Sequence, residues 1–147
     1  TTGMQLDAIA RQPLWQAGYD YAHGTGHGVG CFLCVHEGPQ SISPRSDSTP
    51  LQAGMIVSNE PGLYFEGHYG IRIENVCLLQ PHQHDPCFLQ LTDLTLVPYA
   101  RKLIDLHLLS QKEISWIDQY HQLIYKRLNS DLPEPLQQWL LEATKPL

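Results

Sequence analysis

The segment HGTGHGVG, residues 23–30, sets His23 and His27 among alternating glycines. Imidazoles bind metals and carry protons, so the first question is whether the two act together. On a helix they would stand at i,i+4, the spacing of helical zinc proteases. Each interior glycine costs about 1 kcal/mol against alanine, so extended chain is expected instead. There the two share a face but lie roughly 13 Å apart, and both reach one metal only if the backbone bends. One histidine as ligand and one outside it is therefore the better reading. The opposite face is bare glycine, open to another backbone or to substrate. A phosphate-binding loop is excluded, because no G-x-x-x-x-G-K is present and no helix clearly follows. A glycine-rich turn with incidental histidines is the plain alternative.

Two carboxylates join the histidine. In VSNEPG, residues 57–62, Glu60 ends an apolar strand and is clamped by Pro61 and Gly62. A carboxylate buried there requires a cation or hydrogen-bond donors facing it; an exposed strand end would not. In GIRIENV, strand alternation puts Arg72 and Glu74 on one face and Ile71 and Ile73 on the other. A surface salt bridge is the alternative for that face. Together His27, Glu60 and Glu74 offer nitrogen and oxygen donors without thiolate, a set suited to Mn, Fe, Co or Zn.

The elements that must position these groups follow from the pattern. Residues 4–18 read as helix with Leu6, Ile9 and Ala10 on one face. Pro13 is expected to split it into two, and Gly18 to end it. CFLCVHEGP reads as extended chain, and residues 38–54 as a loop without a core of its own. Strands are expected at MIVSNEP from 55, LYF from 63, YGIRIENVCLL from 69 as one strand, and CFLQLTDLTLVPY after a turn at PHQHDP. Past Pro98 the pattern turns helical. Ser110 and Glu113 form a capping box ahead of a core face of Ile114, Ile117, Ile124 and Leu128. A last helix runs from about Pro133 to Thr144, anchored by Trp139 and Leu140. The chain thus divides into an α+β part, 1–98, and a helical tail, 99–147.

The 147 residues, 42% hydrophobic and 16% charged, fit a soluble globular domain. A net charge of −6 without a basic run argues against nucleic-acid binding. No apolar stretch reaches the roughly 18 residues of a membrane span, and a cytoplasmic location is expected. Cys31 and Cys34 form a C-x-x-C, but no second pair completes a zinc knuckle. The four cysteines are expected to pack as small apolar groups. Position 1 is threonine rather than an initiator methionine, as in a processed or excised chain.

DYAHGTGHGVG…VHEGPQ, LQAGMIVSNEPGLY and YGIRIENVCLL, in this order, resemble the C-terminal catalytic half of the Xaa-Pro aminopeptidases (aminopeptidase P), members of the pita-bread metallopeptidases. The tail LTLVPYARKLIDLHLLSQKEISWIDQYH resembles the C-terminal part of the longer members. The resemblance implies half of a pita-bread α+β fold, a curved antiparallel sheet with flanking helices. It also implies two divalent metal ions, manganese first with zinc or cobalt as alternatives, held by two aspartates, one histidine and two glutamates. By motif His27 is the histidine ligand, Glu60 a glutamate on one metal and general base, and Glu74 the glutamate bridging both. His23 and His36 become outer groups that contact substrate and move protons, and Arg72 steadies an aspartate ligand. Asp7 and Asp20 do not sit where the family places its aspartates, so neither is assigned. Three ligands of five make the chain by itself an expected inactive fragment. The activity implied is removal of the residue preceding proline by a metal-bridged hydroxide, in an enzyme that is a homodimer when complete. A prolidase-like dipeptidase and a non-catalytic pita-bread binding domain are the alternatives.

Overall fold

The computed structural model describes residues 1–45 and 49–147. The chain forms two compact units, Thr1–Thr95 and Leu96–Leu147.

In the first unit, helix α1 runs Gly3–Gln16. It opens with the Thr2 N–H donating to Gln5 Oε1 (2.9 Å), half of a capping box. Pro13 does not split it. The carbonyl that Pro13 leaves unserved belongs to Ile9, which is 65% exposed, so water can take that bond. The inward face is likewise not the apolar one expected. Gly3, Asp7 and Arg11 are buried, while Ile9 faces solvent. Gly18, at φ +79°, ends the helix as anticipated.

Among the described residues seven short strands follow: β1 Gly26–His27, β2 Ser41–Ile42, β3 Ile56–Asn59, β4 Gly62–Phe65, β5 Tyr69–Arg72, β6 Asn75–Pro81 and β7 Leu89–Asp93. Pairing is antiparallel throughout, in three small sheets: β1–β2, β3–β6–β7 and β4–β5. The loop expected at 38–54 contains β2, and its residues Ser46, Asp47 and Ser48 lie outside the described residues. The single strand expected from residue 69 is two strands. β5 pairs with β4, β6 pairs with β3 and β7, and the chain changes partners at Ile73 and Glu74. The apolar face assigned to Ile71 and Ile73 is consequently not buried, at 48% and 53% exposure. The core comprises Ile42, Leu51, Val57, Cys77 and Leu79, with Leu6 and Met55 packed against it.

CFLCVHEGP is not extended. The Cys34 N–H bonds Cys31 O (3.0 Å) across a tight turn, with Phe32 and Leu33 at φ 52° and 67°. Of the cysteines only Cys77 packs as an apolar group, its thiol pushed up to about 12 by burial and then by Asp93. Cys31, Cys34 and Cys87 are exposed, because turns rather than strands carry them.

The second unit holds two 3₁₀ turns, Arg101–Leu103 and Leu106–Leu108, then α2 Gln111–Leu128, a third 3₁₀ turn Asn129–Asp131, and α3 Glu134–Ala143. The Ser110–Glu113 capping box is present. α2 buries Ile117, Tyr120, His121 and Ile124, with Ile114 and Leu128 half-buried. In α3 Leu140 is the anchor, at 1% exposure, whereas Trp139 is 58% exposed.

His121 is fully buried in this unit, and its Nε2 accepts the Tyr99 N–H at 3.0 Å. Burial lowers its pKa below the ordinary 6.5, against the opposing pull of Asp118 and the Lys145 backbone and with Arg101 assisting. The folded form therefore takes up its proton at lower pH than the unfolded chain does. Its stabilising contribution is complete above about pH 6.5 and is lost as pH falls through the lowered folded value. We expect the thermal midpoint of this unit to fall between about pH 7 and pH 5, and the slope to flatten in His121→Gln. An unchanged slope in that variant would remove His121 as the cause.

Candidate metal centre

The site is assembled from short pieces that secondary structure alone does not bring together. β1 carries His27 in its extended segment, paired with β2 on one side and bridged to β3 through Gly28 and Val57. The glycines of the segment serve mainly for contact with neighbouring backbone. A Cβ on Gly26 would fall on the carbonyl oxygen of Ser58, and one on Gly28 would meet the carbonyl of Glu37. β1 therefore lies against β3 closely enough for the His27 N–H to reach Ser58 Oγ (2.9 Å).

That hydroxyl donates in turn to Glu60 Oε1 (3.0 Å), while the Glu60 N–H donates to Thr25 O (2.7 Å). Glu60 is thus held by side chain and backbone just beyond β3, with its side chain 13% exposed. His27 Nε2 stands 3.2 Å from Glu60 Oε1. The other ring nitrogen, Nδ1, lies 2.9 Å from Gly28 O, which can only accept, so Nδ1 carries the proton. In the neutral ring Nε2 then presents a lone pair to a carboxylate oxygen, and two acceptors so placed call for a cation between them. Metal-bound histidines characteristically give their second N–H to a backbone carbonyl in this way.

Glu74, in the break between β5 and β6, completes the group. Ligand atoms of His27, Glu60 and Glu74 all lie within 4.8 Å of one another. The strand break matters here, since an unbroken strand would have kept Glu74 in the β4–β5 hairpin. One imidazole and two carboxylates fit a divalent ion of the Mn, Zn or Co type.

His23, His27, His36 and Glu60 line a cleft of about 400 Å³ together with Arg72 and Ser43. His36 is exposed at its rim, its ring edge-on to that of His27 with centroids 4.3 Å apart. His23 Nδ1 meets Gly24 O at 2.8 Å, and Nε2 meets Tyr64 Oη at 2.7 Å. Tyr64 Oη also accepts from Arg72 Nε (2.9 Å), so its own hydrogen points to His23 in the neutral ring. Arg72 lies 3.8 Å from Glu60 Oε2. Its partners within this chain are therefore Tyr64 and Glu60.

Asp7 and Asp20 are both engaged elsewhere, by Arg11. Burial would raise the Asp7 pKa, but hydrogen bonds from Arg11 and Thr25 outweigh it and hold the carboxyl below its usual range.

Three contributors escaped the sequence reading: Ser58, Tyr64 and the Asp7–Arg11 pair. Ser58 precedes Glu60 by two residues, hence shares its strand face, and Asp7 and Arg11 stand at i,i+4 on a helix. Those signals were readable. Tyr64 had none, because its place depends on the β4–β5 register, where Gly62 and Gly70 leave room for the ring.

The sequence profile of metallopeptidase family M24 matches residues 1–81, and that of the C-terminal region of M24 peptidases matches residues 87–147. The chain belongs to metallopeptidase family M24. The M24 chain is 45% identical to aminopeptidase P1 of Arabidopsis thaliana, with 100% of this chain and 24% of the relative covered. To Xaa-Pro aminopeptidase 1 of Dictyostelium discoideum it is 47% identical, with 99% and 25% covered. The crystal structure of X-prolyl aminopeptidase from Caenorhabditis elegans, described as a cytosolic enzyme with a di-nuclear active site, superposes with a TM-score of 0.91. That match covers 100% of the M24 chain and 25% of the nematode chain at 39% identity, and it shows the α+β pita-bread fold. The M24 chain spans about a quarter of the length of these relatives.

Proposed function

We propose that this chain is the metal-binding C-terminal part of an Xaa-Pro aminopeptidase, which removes the first residue of peptides carrying proline second. The observation that supports this most is the convergence of His27 Nε2, Glu60 and Glu74, with the His27 tautomer set by Gly28. His27, Glu60 and Glu74 would hold two divalent ions, manganese first, together with two aspartates that the family resemblance implies. A bound divalent ion supplies Lewis acidity, lowering the pKa of water and polarising a carbonyl.

The residues of this chain do the rest. Glu60 accepts the proton of the attacking water, its carboxylate aimed by the Ser58 hydroxyl on Oε1 and by Arg72 near Oε2. His36, at the cleft rim beside His27, donates to the carbonyl oxygen of the scissile bond. His23 contacts the peptide beyond that bond, and a peptide group reaches its Nε2 by displacing the Tyr64 hydroxyl. With three ligands of five, the 147 residues alone are expected to bind metal weakly and to be inactive. The complete protein is proposed to be a cytosolic homodimer.

The test is turnover by the complete protein. With Mn²⁺ it should release the first residue from tripeptides and longer peptides of Xaa-Pro type. Chelation should abolish turnover, and Mn²⁺ should restore it. Cleavage of dipeptides alone would instead indicate a prolidase-like enzyme. A complete protein that retains no divalent metal on elemental analysis would be a binding domain, a reading that the intact donor set disfavours.

A further inference from the structure

We propose that Arg11 is a positioning residue of this site, clamping the segment that carries His23 from the side facing α1. The inference rests on the aminopeptidase reading for its catalytic consequence, but its structural basis is independent. Arg11 is 3% exposed, and its guanidinium meets five oxygens. Nε donates to Asp7 Oδ2 (2.7 Å) and Nη2 to Asp7 Oδ1 (3.1 Å). Nη1 donates to Asp20 Oδ1 (2.8 Å) and to Tyr21 O (2.6 Å), and Nη2 also donates to His23 O. Its plane covers the Tyr21 ring, 3.9 Å from the centroid, and the His23 ring lies against the same tyrosine at 4.9 Å.

Two backbone carbonyls on either side of Ala22 are thereby fixed by one rigid fork, and the second belongs to His23 itself. Among the described residues the ring hydrogen-bonds with Gly24 O and Tyr64 Oη and packs against Tyr21. Asp7 extends the brace, because its Oδ1 accepts from the Thr25 hydroxyl (2.7 Å), and Thr25 O receives the Glu60 N–H. A structural salt bridge would need only Asp7. The bonds to Tyr21 O and His23 O have no partner in that role, and they require the planar five-donor geometry that lysine lacks. Burial opposes the charge, but the bonds to Asp7 and Asp20 outweigh it and hold the guanidinium pKa above its ordinary value.

Arg11→Lys keeps the positive charge beside Asp7 and loses the fork. In the complete enzyme we expect kcat/KM on Xaa-Pro tripeptides to fall by about ten- to a hundred-fold, the range for partners that orient a site residue. Bound manganese should be unchanged, since His27 and Glu60 are held through Ser58. The decisive readout is a double-mutant cycle with His23→Ala. If Arg11 acts through His23, the double variant loses no more than His23→Ala alone; a merely structural role makes the losses multiply, and that result overturns the proposal. Should Arg11→Lys fail to fold, Asp20→Asn loosens the same fork from a side chain that is 56% exposed. It should give a smaller loss that again vanishes in the His23→Ala background, and multiplying losses there overturn the proposal equally. Hydrogen exchange across residues 20–28 needs no substrate, and faster exchange is expected in either variant. Absence of wild-type turnover therefore overturns the activity, whereas unchanged exchange overturns the clamp.

Discussion

Glu60→Gln in the complete enzyme is expected to lower kcat by on the order of 10²–10⁴-fold while leaving the fold intact. The substitution preserves shape and removes both the negative charge and the proton acceptor. The fold is protected by the local hydrogen bonding. The Ser58 oxygen and the bare Nε2 of His27 both face Oε1, at 3.0 and 3.2 Å, so an amide nitrogen in that place can turn one N–H to Ser58 Oγ and the other to His27 Nε2. That last contact would satisfy His27 from within the protein, so metal affinity should fall together with kcat. Circular dichroism checks the fold, elemental analysis after dialysis checks the metal, and turnover of an Xaa-Pro peptide checks the chemistry. Activity within a few-fold of wild type would remove Glu60 from the role of general base.

Gly26→Ala should be the most damaging single methyl group in the segment. Its Cβ would fall on the carbonyl oxygen of Ser58, a residue with no exposure, so neither partner can move toward solvent. β1 must separate from β3, which strains the backbone and breaks the bond from the His27 N–H to Ser58 Oγ. A stability loss of about 3 kcal/mol is expected, the upper part of the range for overpacking. Metal affinity should fall as well, because His27 adjoins the displaced residue. Denaturant unfolding and calorimetric Mn²⁺ titration measure the two effects. Gly18→Ala is the control, for no atom stands within 4 Å of its added methyl, although its φ of +79° brings a local cost. Equal behaviour of the two variants would show that close approach at Gly26 is not what the site depends on.

Both expectations rest on residues that the chain displays openly, and much of the site was legible in this way. His27, Glu60 and Glu74 declare themselves by donor type and by the glycines and prolines around them, and these are local properties of sequence. So too are the Ser110–Glu113 capping box and the glycine stop at Gly18, since the groups that make them lie within one turn. Misreadings arose where distant partners overrule local pattern. Pro13 sits inside α1, and Ile71 and Ile73 alternate as a buried strand would yet stay exposed, because β5 has only β4 beside it.

By itself, then, the sequence determined which side chains can hold a metal, that they ride on extended segments, and that a helical tail follows. Only the tertiary structure decided how they meet. The change of partner between β5 and β6 delivers Glu74 to His27 and Glu60, the β4–β5 register brings Tyr64 to His23, and the Arg11 fork fixes the loop from α1. The physical reason is the range of the forces involved. Donor chemistry and turn propensity act within a few residues, whereas the contacts that close the site, His23 with Tyr64 and His27 with Glu60, join groups tens of residues apart, whose energies exist only once the chain has folded.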